Sequence, residues 1–214
     1  MNFLIDFILH IDSHLLQIVH DLGSTSYLLM FGIIFIETGA VVLPFLPGDS
    51  LLFASGAIAA ASNDLNVWIL FFGFFLASLF GDNLNFAIGH FVGEEIFKHK
   101  KLTKFIKPEY LKDTEAFFEK HGTPAIIFSR YIPIIRTFAP FVSAVSGYEW
   151  RKFFSLSLIA TTSWSLIGVG AGYLFGNIPV IKEHFSAIII GVVLVSLLPA
   201  AIGLISSKIR GKQS

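Results

Sequence analysis

Apolar residues fill most of this chain in long runs, and the interruptions of those runs are its most informative positions. Over residues 3–22, Phe3, Leu4, Phe7, Ile8, Ile11, Leu15, Ile18 and Leu22 recur at helical spacing, with Asp6, His10, Ser13, His14, Gln17 and Asp21 opposite. This predicts an amphipathic interfacial helix within residues 1–24, although the basic face usual for such helices is missing. Residues 25–43 predict a first spanning helix with Glu37 inside it. The next run, PFLPGDSLLFASGAIAAA, is broken by Pro44, Pro47 and Gly48, with Asp49 directly after. It predicts a re-entrant segment over about residues 44–62. A long apolar stretch over residues 67–92 follows, with Asp82, Asn83 and Asn85 within one turn and a small-residue pair, Gly89 and Gly93, suited to close helix contact.

Residues 94–123 change character, running from Glu94 and Glu95 through a series of lysines to Lys120. Pro108 divides them, and they read as two short amphipathic helices at an interface. The segment over residues 124–147 is apolar enough for a bilayer, yet it carries Arg130, Arg136, Pro133 and Pro140 before ending at Gly147. An arginine at membrane depth costs several kcal/mol unless a cavity, partner or substrate receives it. Proline removes a backbone donor and bends or ends a helix. Irregular backbone is tolerated at that depth only where protein covers it or it lines a cavity. The segment is therefore read as a second re-entrant hairpin. Spans over residues 153–175 and 186–205 and a basic tail over 206–214 complete the chain.

Composition supports a membrane class. Of 214 residues, 54% are hydrophobic and 14% charged, against roughly 25% charged in soluble domains. Net charge is zero. All 15 Lys and Arg lie from Lys98 onward, a distribution that does not suit nucleic-acid binding. The positive-inside rule puts the lysines of 94–123, Arg151 with Lys152, and the C-terminal cluster on the cytoplasmic side. They share a side only if 124–147 re-enters rather than crosses. With no cysteine present, thiol chemistry and disulfides are excluded. Asp6, His10 and His14 have a spacing that admits metal binding, but a wetted polar face explains them better, and no metal or other cofactor is expected.

A weak internal repeat relates residues 44–93 to 133–176. Each opens on proline, passes a second proline and a charge, reaches Gly56 or Gly147, and ends a span on a Gly-xxx-Gly pair. Interrupted segments at matching places in inverted halves point to a transporter site. Glu37, Asp49, Arg130 and Arg136 are the charges placed there. A purely structural lock is the plainer alternative, but buried ion pairs add little stability once desolvation is counted. Asp82 and Asn83 are read as supporting residues, with Asp82 open between function and helix contact.

The motifs FIETGAVVLPFLPGDSLLFASG at 35–56 and HGTPAIIFSRYIPIIRTFAPFVSAVSG at 121–147, and more loosely GDNLNFAIGHFVG at 81–93, resemble the DedA family, also called the SNARE-associated or VTT-domain family. The resemblance covers residues 25–205 as a single transmembrane domain. It implies an all-α polytopic protein of the bacterial inner membrane, with two re-entrant hairpins in inverted repeat. It further implies a flippase for undecaprenyl phosphate or a phospholipid, proton-coupled in some members. Glu37 and Asp49 match the family's essential acids, and Arg130 and Arg136 its essential arginines.

The chemistry agrees, because guanidinium groups bind phosphate through forked, charge-assisted hydrogen bonds. The expected partners are thus a phosphate-bearing lipid, protons and the bilayer, with no nucleic acid; self-association is left open. The arginines are expected to hold the phosphate while Glu37 and Asp49 grip and release them as protons come and go. A proton-coupled ion or small-solute antiporter using the same carboxylates is the alternative. Enzymatic activity is not expected: Glu94–Glu95 lies in the basic surface segment, and Ser129 and Ser143 lack a suitably spaced histidine.

Overall fold

A computed structural model describes residues 21–40, 48–62, 64–98, 108–176 and 178. These residues form seven helices and no strand: α1 (Thr25–Gly39), α2 (Gly48–Ala61), α3 (Val67–Lys98), α4 (Pro108–His121), α5 (Ala125–Ser129), α6 (Pro133–Val145) and α7 (Trp150–Gly176). Val67–Phe91 and Trp150–Gly176 are long and apolar enough to cross a bilayer. The expected interfacial helix over 1–24, Pro44 and Pro47, the span over 186–205 and the basic tail lie wholly or almost wholly outside the described residues.

Several boundaries differ from expectation. The first helix stops at Gly39, with 15 residues, fewer than the roughly 20 that a span needs. α3 continues past residue 92 to Lys98 as one helix of 32 residues, so residues 94–98 continue that helix beyond the span and do not begin a separate one. Pro108 opens α4, where its missing N–H costs nothing. The expected interruption before the next apolar run is present, with Gly48 opening α2. In the segment 124–147, helix α5 ends at Ser129 and α6 begins at Pro133. The break therefore falls on residues 130–132. Pro133 takes the first helical position, and Pro140 sits inside α6 without ending it. Proline's missing donor is a local loss there, not a terminator.

The chain forms two compact units. One gathers the described residues of Met1–Met30, Pro47–Gly73 and Ser165–Ser214; the other gathers those of Phe31–Leu46 and Phe74–Trp164. In the first unit α2 and the end of α7 meet backbone to backbone. A Cβ on Gly172 would fall 2.1 Å from the Phe53 carbonyl oxygen, one on Gly176 2.6 Å from that of Ala57, and one on Gly56 2.3 Å from that of Val169. Lipid supplies no hydrophobic drive for helix association, so this close van der Waals fit carries it. Asn66 caps α3, its Oδ1 accepting from the Trp68 and Ile69 N–H groups at 2.9 and 3.3 Å.

In the second unit Phe86 stacks on Phe153 with centroids 4.6 Å apart. Ile126 and Ala144 complete that core, flanked by Phe118, Tyr148 and Leu156. Gly81 and Gly89 open the α3 surface to Thr38 of α1 and Phe141 of α6; a Cβ at either would come within 2.8 and 2.7 Å of them. Between these glycines, Asn85 Nδ2 donates to the Thr38 carbonyl at 3.0 Å and the Thr137 carbonyl at 2.8 Å. The first of these satisfies a carbonyl in the last turn of α1, which the helix itself leaves unbonded. Asn83 ties α3 to α7, its Oδ1 accepting from the Trp150 indole N–H at 3.0 Å.

α6 ends in a Schellman turn. Gly147 N–H donates to the Ala144 carbonyl and Tyr148 N–H to that of Ser143, at 3.0 and 2.9 Å. Gly147 has φ +75°, which a Cβ would strain. α4 packs on α5 and α6.

Gly172→Val should lower stability by about 3 kcal/mol or more, because the added carbons meet main chain that cannot move aside. Gly170→Ala, on the same helix with open space around it, should be neutral or slightly stabilising. Thermal unfolding in detergent, followed by loss of helical circular dichroism, compares the two; equal midpoints would refute the backbone contact.

Candidate functional site

The second unit collects four charges around one indole, three of them buried and Arg136 partly so. Arg130 follows α5 directly, and its side chain is 4% exposed. Its Nη1 donates to Asp82 Oδ1 at 2.8 Å. The other carboxylate oxygen, Oδ2, accepts from the Ser157 hydroxyl at 2.6 Å. Arg136, one turn into α6, donates from Nη2 to Glu37 Oε1. Both guanidinium groups lie over Trp164, with Cζ 4.7 and 5.7 Å from the ring centroid. A cation over an indole face gains about 2 kcal/mol when desolvated.

Each placement follows from local structure. Glu37 occupies the last turn of α1, where the helix dipole disfavours a carboxylate; the guanidinium of Arg136 offsets that. Arg130 reaches Asp82 because α5 ends just before it, turning the chain at residues 130–132. Ser157 and Trp164 share the buried face of α7 with Thr161, at spacings of four and seven. The quartet balances, two positive and two negative. Burial of such charges is tolerable only with pairing and further hydrogen bonds.

Two small cavities, each of about 10 Å³, adjoin the arginines. That is room for a single water. One is lined by Glu37, Thr38, Thr137 and Trp164 with both arginines. The other has the same two arginines with Asp82, Ser129, Pro140 and apolar neighbours. The buried Nε of Arg130 has no hydrogen-bond partner among the described residues. One buried donor of a charged group thus remains unmatched, which is costly.

The sequence expected Glu37 and Asp49 to grip the arginines. Glu37 does so, for Arg136. The carboxylate on Arg130 is Asp82, previously placed between function and packing. Asp49 lies in the first turn of α2, in the other unit, where the helix dipole favours a carboxylate. Trp164 and Ser157 were missed. A stripe of Ser157, Thr161 and Ser165 at four-residue spacing inside an apolar span was the available signal, and it marks the inward face of α7. No group of three or more metal-ligating side chains occurs among the described residues.

Comparison with known proteins places this chain in a family. The VTT domain matches residues 46–174. The chain is 44% identical to Protein DedA of Escherichia coli K12 over 207 residues, covering 96% of this chain and 94% of that one. It is 36% identical to an uncharacterized membrane protein of Mycobacterium leprae over 170 residues, 79% of this chain and 75% of the relative. With inner membrane protein YghB of Escherichia coli K12 it shares 28% identity over 180 residues, 84% and 78% of the two chains. No solved structure matches it. The long apolar helices, the VTT-domain match and 44% identity over nearly the whole chain agree: the chain is a membrane protein and belongs to the DedA family of VTT-domain proteins.

Proposed function

We propose that the protein moves a phosphate-bearing lipid, undecaprenyl phosphate or a phospholipid, across the bacterial inner membrane, with proton uptake driving the exchange. The observation that carries this reading is the pair of guanidinium groups on Trp164, one of which has a buried Nε without an acceptor. Arginine pairs present planar forks that match phosphate oxygens. A headgroup oxygen would supply the missing acceptor and compete with the carboxylates for the same donors.

Glu37 is the coupling residue in this scheme. Its carboxylate holds Arg136 at the edge of the first cavity. Protonation removes its charge and weakens its hold, so Arg136 becomes available to phosphate. Return of the carboxylate charge expels the phosphate. The two protonation states differ in phosphate affinity, and that difference is what moves a transport equilibrium. Asp49 joins the coupling by its position in the family motif. The region over 94–123 and the C-terminus face the cytoplasm in this scheme, and the chemistry is transport without bond cleavage.

Arg136→Lys keeps the charge and loses the fork. It should cut flipping of undecaprenyl phosphate in reconstituted vesicles about tenfold or more, the equivalent of one lost charge-assisted hydrogen bond; full activity in this variant would rule out forked phosphate binding. Glu37→Gln fixes the neutral form. Transport by this variant should no longer respond to an imposed pH step, and an unchanged pH response would remove Glu37 from the coupling. Proton-driven cation movement that is indifferent to added lipid phosphate would instead identify an antiporter.

A further inference from the structure

Asp82 is the one buried carboxylate of the quartet that the transport scheme leaves without a task. It differs from Glu37 in how it is held. Both of its oxygens are engaged, Oδ1 by Arg130 and Oδ2 by Ser157, and its side chain is 6% exposed. It also lines a different cavity. Both arginines thus border two cavities, one lined by Glu37 and the other by Asp82.

The contact between Asp82 and Arg130 is single, through Nη1 alone, and Nε remains without an acceptor. Asp82 thus pins the guanidinium against Trp164 without closing all of its donor edge. Its negative charge also offsets part of the attraction that Arg130 exerts on an anion.

We propose that Asp82, clamped by Ser157, is a positioning residue that fixes Arg130 on the Trp164 face and holds its anion affinity low enough for the bound phosphate to leave. A site that conducts must bind strongly enough to admit its ligand and weakly enough to release it. Glu37 is displaced during transport in this arrangement, whereas Asp82 stays in place. The inference rests on the phosphate-lipid reading for its ligand, but the placement of Arg130 is separately measurable.

The expected signature is a split between affinity and rate. Asp82→Asn keeps the size of the side chain and removes its charge. It should tighten binding of dodecyl phosphate to the purified full-length chain in phosphatidylcholine nanodiscs about tenfold. The same variant should lower the maximal rate of flipping, with KM and kcat falling together. A side chain that merely packs would weaken binding and rate alike when damaged. Ser157→Ala leaves the charge and loosens the clamp; it should move both quantities the same way by a smaller factor, and it serves where Asp82→Asn does not accumulate.

Position is read without any lipid. The chain has three tryptophans, and replacing Trp68 and Trp150 by Phe leaves Trp164 as the sole emitter. Emission should shift to the red in the Asp82 and Ser157 variants as Arg130 leaves the ring face. Unshifted emission, or binding that weakens in step with rate, overturns the role of Asp82. Failure of the unsubstituted chain to bind dodecyl phosphate refutes the headgroup reading instead, and the emission result then still decides whether Asp82 positions Arg130.

Discussion

Withdrawal of two guanidinium groups, one buried and one partly buried, over a single indole is the constraint that the rest of the second unit answers. Each arginine needs a carboxylate, and each carboxylate must come from a different helix, because one helix cannot present two acids to one point from opposite sides. α1 supplies Glu37 from its last turn and α3 supplies Asp82 from its middle. α7 supplies Trp164 and the Ser157 hydroxyl. The helix break at residues 130–132 lets the two arginines of one segment approach the same ring. An assembly of this kind gains little net stability from its ion pairs, since desolvation offsets their attraction. What it gains is a set of cations held ready beneath an aromatic face.

Glycine fulfils a second requirement, that helices come near enough for short side chains to meet across them. Gly81 and Gly89 bracket the polar face of α3, and a Cβ at either would strike α1 or α6. With larger residues there, Asp82 and Asn85 would stand too far from their partners. In the other unit the same device joins α2 to α7 with no polar side chain at the closest points, where Phe53 and Ala57 carbonyls face glycine. Close helix packing thus occurs in both units, while the paired arginines belong to the second.

The helical class, the long apolar α3 and α7, and the charged interruptions at Glu37, Arg130 and Arg136 were all readable from residue patterns, because apolar periodicity and charge at depth are local properties. Pairing was not. The linear reading gave the arginines Glu37 and Asp49 as partners, and the approach of α3 toward the 130–132 turn brings Asp82 to Arg130. The prolines misled for a related reason. Proline marks helix starts as readily as helix ends, and Pro133 opens α6 while Pro140 is carried within it. Trp164 looked like one more apolar residue of a span, since nothing in its neighbours along the chain distinguishes a ring that faces lipid from one that faces two cations.

Asn85 has a further consequence for the ion pair of Glu37 and Arg136. Its amide bonds the carbonyls of Thr38 and Thr137, and each of these residues directly follows one member of the pair. A single side chain therefore acts as a caliper, setting the gap between the two main chains that carry the opposed charges. With the backbone separation held in this way, opening the pair is a matter of side-chain rotation. The helices need not part for the charges to change partners, and such an exchange belongs to the fast time range of rotamers, not to the slow one of domain motion.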